Sequence, residues 1–223
     1  MEYRELGEFL TPERRTRIDK VLNERTRTLG MLVEGITDPH NVAACIRSVE
    51  GFGLQELHVI TGEQKFQPNR KVTQGSAKWV DIIEHCSPRD AVSNLRDRGY
   101  KIYCGTLTAD ARPIGELDFS EKTILALGNE HAGISRELQE LSDGSFFIPM
   151  RGFTQSFNIS VAAAVSVFHG VSERVRRFGK NGDLEAEDME RLRQRWYGLS
   201  VPRADMVNEE LERRRTAMVG EED

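Results

Sequence analysis

Residues 123–135 read T-I-L-A-L-G-N-E-H-A-G-I-S. The run from Thr123 to Leu127 carries no charge. It suits a buried strand and is too short for a typical helix. Gly128 to Gly133 then spell G-x-E-x-x-G. Ser135 follows as a good helix cap, so the reading is a strand over Thr123 to Gly128 and a short helix over Ser135 to Leu141. A strand passing through a glycine turn into a helix is the building unit of an open parallel sheet. Ligands in such sheets bind beyond the carboxyl ends of the strands, where glycine lets them approach the backbone. The turn lacks G-K-[ST] and a complete G-x-G-x-x-G, so phosphate cradling is not favoured.

The same alternation extends outward in both directions. Thr11, Pro12 and Glu13 predict a helix start and a helix to about Thr26. Strands are expected at Met31 to Val33, Leu57 to Ile60, Val80 to Glu84, Lys101 to Thr106 and Ser145 to Pro149. Between them, helices are expected at Val42 to Phe52, capped by Asn41, and at Ser87 to Arg98. Gln64 to Lys78 reads as a polar loop with one helical turn. A long helix with a small, apolar face runs from Phe157 to about Phe178. Two more helical stretches, Ala186 to Tyr197 and Met206 to Ala217, flank Pro202. The fold class is therefore α/β, a parallel sheet with helices on both faces and extra helices at both chain ends.

No stretch approaches the ~18 apolar residues of a membrane helix, and the acidic start M-E-Y-R-E-L-G-E is unlike a signal peptide. Cys45, Cys86 and Cys104 are widely spaced and include no C-x-x-C, so neither a disulfide framework nor a cysteine zinc site is expected. His40, His58, His85, His131 and His169 form no H-x-x-x-H pair, and no metal is expected. A cytoplasmic protein without membrane attachment fits these features.

The net charge of −5 hides an uneven distribution. Residues 183–223 hold 12 acids and 7 bases, which leaves 24 of each in residues 1–182. Inside that neutral body lie basic clusters that suit a polyanion such as RNA. One contains Arg14, Arg15 and Arg17. Another contains Lys65, Arg70, Lys71 and Lys78 with no acid from Gln64 to Val80, and a third contains Arg174, Arg176, Arg177 and Lys180. Solvated helix faces are equally rich in such charges.

Two further motifs accompany the glycine turn. Asp38-Pro39-His40-Asn41 leads into a helix bearing Arg47. Six residues apart, Asn41 and Arg47 do not share a helix face, yet a cap amide can reach across the helix end. The second is Phe147-Ile148-Pro149-Met150-x-Gly152-x-x-Gln155-Ser156-Phe157-Asn158, a strand broken at proline before the long helix. Ser156 and Asn158 are both candidate caps. Taken singly, each motif has a plain structural reading: a cap with a surface arginine, a strand-to-helix turn, a capped helix.

Taken together, their order and wording resemble the TrmH (SpoU) family of the SPOUT class, RNA ribose 2′-O-methyltransferases that use S-adenosyl-L-methionine. The resemblance covers Arg14 to Phe178 and includes Met31 to Asn41, Gly75-Ser76-x-Lys78-Trp79-Val80 and all three motifs. It is strongest to the tRNA enzymes that act on a D-loop guanosine. The resemblance implies a C-terminal trefoil knot, a homodimer joined through the long helix, and tRNA as partner. It implies a basic N-terminal RNA-contact helix within 1–29, a knotted methyltransferase domain over 30–180 and an acidic helical extension over 181–223. It implies donor binding by Thr106, Leu107, Gly128, Gly133, Ile148, Met150, Ser156, Phe157 and Asn158. Catalysis falls to Arg47, Asn41 and Glu130, and RNA contact to Arg14, Arg15, Arg17, Lys65, Arg70, Lys71 and Lys78. Phe157 stands where leucine is common, and the acidic extension differs from a basic tRNA-gripping one.

The family view makes Arg47 a general base. A free guanidinium does not readily give up its proton, so charge stabilisation suits it better. Two rival readings remain at this point: methylation of ribosomal RNA or another tRNA position, and a non-catalytic RNA-binding factor. The latter would be expected to have lost Arg47, Glu130 or Asn158.

Overall fold

The computed structural model describes residues 4–62, 75–129 and 132–219. They form two compact units: residues 25–183, and the two chain ends, up to Glu24 and from Leu184 onward.

The central unit holds a seven-stranded sheet. Its strands are β1 (Leu29–Glu34), β2 (Glu56–Ile60), β3 (Asp81–His85), β4 (Lys101–Gly105), β5 (Arg112–Pro113), β6 (Thr123–Leu127) and β7 (Gly144–Phe147). Their order is β3-β2-β1-β6-β4-β7-β5, and every pairing is parallel. Parallel strands buried on both faces read as continuous apolar runs, and β6 is buried throughout. Successive residues feed opposite layers. Leu125 and Leu127 join one apolar cluster with Leu29, Met31 and Val33, together with residues of α2 (Pro39–Gly51) and α5 (Ile159–Phe178). Ile124 and Ala126 join a second cluster with residues of α3 (Pro88–Asp97) and α4 (Arg136–Leu141). Truncating a buried side chain such as Ile124 to alanine costs ~2–5 kcal/mol.

Helix starts follow local chemistry. Ser87, Ser135 and Asn158 cap α3, α4 and α5 by accepting from Asp90, Leu138 and Ser160 amides. The expected Asn41 cap is wrong. Asp38 caps α2 by accepting from the His40 amide, and Pro39 takes the first helical position, where its fixed φ suits the helix. Asn41 therefore sits inside the first turn. The two-residue β5 and the 3₁₀ turn Ile114–Glu116 had no counterpart in the sequence reading. The expected turn within the polar loop appears at Ser76–Trp79, while residues 63–74 lie outside the described set.

In the second unit, α1 (Pro12–Leu22) packs on α6 (Ala186–Ser200), and α7 (Ala204–Val219) follows. Asp19 accepts from Arg193 Nε at 2.8 Å, while Trp196 and Leu192 are buried. The two chain ends, expected as separate appendages, thus share one compact body. No helix among the described residues is long and apolar enough to cross a membrane.

Candidate active site

A cavity of about 550 Å³ opens beyond the carboxyl ends of β4, β6 and β7. This is where ligand sites of open α/β sheets lie, and the volume is within the usual ~300–1,000 Å³. Three loops build it. The loop after β4 contributes Thr106, Leu107 and Thr108, and the glycine turn after β6 contributes Gly128, Asn129, Ala132 and Gly133. The loop after β7 contributes Ile148, Met150, Gln155, Ser156 and Phe157. Eight of the nine residues singled out for donor binding therefore line one cavity.

The glycine turn is tightly closed. A β-carbon on Gly128 would sit 2.2 Å from the Gly133 backbone, so residue 128 has no room for a side chain. The Gly133 amide donates to the Asn129 carbonyl at 2.8 Å, with Gly133 at φ 69°. Asn129 Nδ2 donates to the Gly35 carbonyl at 2.9 Å, and its Oδ1 accepts from the Ala132 amide at 3.2 Å. Glu34 Oε2 accepts from the Ser135 amide at 2.8 Å. The end of β1 thus pins both sides of the turn.

Asn158, the ninth expected donor residue, does not line the cavity. It caps α5, and its Nδ2 donates to Asn41 Oδ1 at 3.2 Å. The first and third motifs are therefore joined directly. Arg47 lies two turns beyond Asn41 on α2, exposed, with no hydrogen bond or ion pair to any described residue and no place in the cavity wall. Glu130 lies outside the described residues.

The described lining carries no charged side chain. Apolar walls come from Leu127, Ile134, Ile148, Met150 and Phe157, and neutral hydrogen-bonding groups from Thr106, Asn129, Gln139, Gln155 and Ser156. That mixture fits a nucleoside-bearing ligand: flat apolar walls for a base, and backbone and amide groups for its edges. Cys104, just below the cavity floor on β4, is no candidate nucleophile. Burial raises its thiol pKa to about 11, against a hydrogen bond with Ser142 Oγ at 2.9 Å.

Gln139, Asn129, Thr108 and Gly105 were not assigned roles from sequence, yet all face the cavity. Gln139 stands one turn after the Ser135 cap and donates to the Ile134 carbonyl at 2.9 Å. That i+4 position was the available signal.

Among the expected RNA contacts, Arg14, Arg15 and Arg17 are exposed on α1, and Arg14 Nη2 donates to Ser200 Oγ at 3.2 Å. Lys78 is exposed, its ammonium 4.5 Å from the Trp79 ring centre. Lys65, Arg70 and Lys71 lie outside the described residues. Arg174 is not available for RNA. It is buried, donating to Asp183 Oδ2 at 2.9 Å and to the Phe119 carbonyl at 3.1 Å. Its neighbours Arg176 and Arg177 pair with Glu173 and with Asp118.

The comparisons agree with this architecture. Over 166 residues the chain is 36% identical to the tRNA (guanosine(18)-2′-O)-methyltransferase of Thermus thermophilus, covering 74% of this chain and 86% of that one. Its fold is similar to the crystal structure of the Aquifex aeolicus (A. aeolicus) TrmH/SpoU tRNA modifying enzyme, with a TM-score of 0.77, 28% identity, and 86% and 98% of the two chains covered. It is also similar to the methyltransferase AviRb from Streptomyces viridochromogenes in complex with AdoMet, at TM-score 0.60, 27% identity, and 70% and 61% coverage. Residues 29–168 match the sequence profile of the SpoU rRNA Methylase family, and the chain belongs to that family.

Proposed function

We propose that the chain is an S-adenosyl-L-methionine-dependent tRNA ribose 2′-O-methyltransferase acting on guanosine 18 of the D-loop. The observation that carries this reading is the three-loop cavity beside the Asn41–Asn158 hydrogen bond. Its support comes also from the relatives, whose names specify that nucleotide.

When bound, the donor supplies an electrophilic methyl group on a cationic sulfur. Ile148, Met150 and Phe157 would sandwich its base, while Gly128 and Gly133 let the backbone come close. Thr106, Leu107 and Ser156 would complete the wall. Holding both reactants in line is the main task, and positioning of this kind contributes ~7–11 kcal/mol in favourable cases. Arg47 serves the ribose hydroxyl, binding the neighbouring phosphate and stabilising the developing charge on the sugar oxygen. It makes no hydrogen bond or ion pair with a described residue, which leaves its donors open to substrate. Asn41 and Asn158 fix the approach of α2 to the cavity loop, and Glu130 is assigned to the same centre.

The strand order has β6 inserted between β1 and β4, and β7 between β4 and β5. This strand order is compatible with the proposed trefoil knot, in which the C-terminal part of the fold passes through a loop. A homodimer through α5 is supported by Val161, Phe168 and Val175, exposed apolar residues spaced seven apart. Arg14, Arg15, Arg17, Lys65, Arg70, Lys71 and Lys78 are the proposed RNA contacts, within a basic segment 1–29 and the catalytic body 30–180, followed by the extension 181–223. A cytoplasmic location suits a tRNA substrate.

The test is methyl transfer from labelled donor to unmodified tRNA and to ribosomal RNA in parallel. Label in tRNA at the D-loop guanosine supports the reading. Label in ribosomal RNA alone, or in no RNA, overturns it.

A further inference from the structure

We infer that Phe153 is a stacking platform for an unpaired RNA base, with Arg151 holding the adjoining phosphate. This deepens the proposed function and rests on RNA being the substrate. Met150, Gln155, Ser156 and Phe157 of the loop after β7 line the cavity, whereas Arg151 to Thr154, between them in sequence, are not part of its wall. The Phe153 ring is fully open to solvent, at 109% relative accessibility. Scattered exposed apolar residues are ordinary on protein surfaces. Phe153 differs in its setting, at the rim of a ligand cavity and two residues from an exposed arginine with no hydrogen bond or ion pair to any described residue.

The electrostatics favour a polyanion. No acidic residue occurs from Gly144 to Ser172, so nothing on the loop or the first turns of α5 opposes a phosphate. A β-carbon on Gly152 would meet nothing within 4 Å, so the space between the two side chains is open. An aromatic face beside a guanidinium is the combination that binds single-stranded nucleic acid. The ring stacks on a base of any identity, and the cation takes the backbone. A second copy of the chain would bury apolar surface more readily on the Val161, Phe168 and Val175 row of α5 than on a loop that also exposes Arg151, Thr154, Gln155 and Ser156.

Three full-length variants test the assignment: Phe153→Ala, Phe153→Leu and Phe153→Trp. The readouts are kcat/KM toward unmodified tRNA, donor affinity by calorimetry, and oligomeric state by sedimentation. Phe153→Ala and Phe153→Leu are expected to lower kcat/KM by ~5- to 100-fold, the range of one lost base stack. Phe153→Trp should retain activity, with donor affinity and sedimentation unchanged in all three. Full activity of Phe153→Leu would overturn the claim, because bulk alone would then suffice. A changed sedimentation coefficient would assign the ring to a second copy, and a parallel loss of donor affinity would make it a cavity wall. Either result contradicts stacking. If the wild-type chain methylates no RNA, the proposed function has failed separately. The stacking claim is then read from the anisotropy of a labelled single-stranded oligonucleotide, where wild-type binding that Phe153→Ala leaves intact overturns it.

Discussion

Asn158 Nδ2 donates to Asn41 Oδ1 across 3.2 Å, bridging 117 residues of sequence. Asn158 also caps α5, and Asn41 lies in the first turn of α2. One pair of amides thus holds together the starts of α2 and α5. Asn158→Ala is expected to cost ~1 kcal/mol of stability through the lost cap. Asn41→Ala removes no cap and should be milder. The two are expected to lower kcat/KM non-additively, because residues in contact couple. A double-mutant cycle in the transfer assay measures this, and additive losses would contradict a shared role.

Arg47 tests chemistry apart from stability. Because Arg47 is exposed and pairs with none of the described residues, its replacement should move unfolding free energy by less than ~0.5 kcal/mol. Arg47→Lys should nevertheless lower turnover by ~100-fold or more, because a point charge does not reproduce a planar fork of donors. Single-turnover kinetics beside a urea denaturation curve separates the two. Retention of most turnover would remove Arg47 from the mechanism.

Gly128 is the most sterically committed position of the cavity. With only 2.2 Å to the Gly133 backbone, Gly128→Ala must displace the turn. Overpacking of this kind costs ~1–3 kcal/mol. Donor binding is expected to weaken at least tenfold, since Gly128, Asn129 and Gly133 move together. Calorimetry with S-adenosylhomocysteine reads the effect.

At the N-terminal end of β2, Glu56 sets the acid stability. Burial alone would raise its pKa, but hydrogen bonds from His58 at 3.2 Å and Arg98 at 2.7 Å outweigh that and hold it at about 2. The folded pKa lies below the unfolded one, so the unfolded state takes up the proton first. The stabilisation is complete above ~pH 4.5 and is lost as pH falls toward 2. His85, 2.9 Å from His58, is also shifted down, chiefly by burial and then by the charge of His58. Its contribution has the same sign and begins to fade below ~pH 6.5. Glu56→Gln should cost ~3 kcal/mol at pH 7 and flatten the loss between pH 4.5 and 2. Urea unfolding across pH measures both, and an unchanged acid slope would contradict the assignment.

The sheet was readable because β1 and β6 are buried on both faces and read as largely apolar runs, while β2 was found from Leu57, Val59 and Ile60 although Glu56 and His58 are buried beside them. The cavity loops were readable because glycine and proline mark the strand ends. The α2 cap was misplaced because Asp38 and Asn41 are both good caps, and Pro39 decides between them only once its fixed φ is weighed. The β5 strand is two residues long and contains Pro113, so it carries no periodic signal. Arg174 was counted with a basic cluster because its partners, the Phe119 carbonyl and Asp183, are brought to it by the fold. Phe153 was overlooked because nothing in sequence separates an exposed phenylalanine from a core one.

The central claim is that a three-loop cavity delivers a methyl group to one sugar oxygen. The most direct measurement replaces the D-loop guanosine of an otherwise normal tRNA transcript with 2′-deoxyguanosine and follows methyl incorporation. The account predicts that the unmodified transcript gains one methyl, recovered as 2′-O-methylguanosine, and that the deoxy substitution abolishes it. Undiminished incorporation into the deoxy transcript would place the methyl elsewhere and contradict the account.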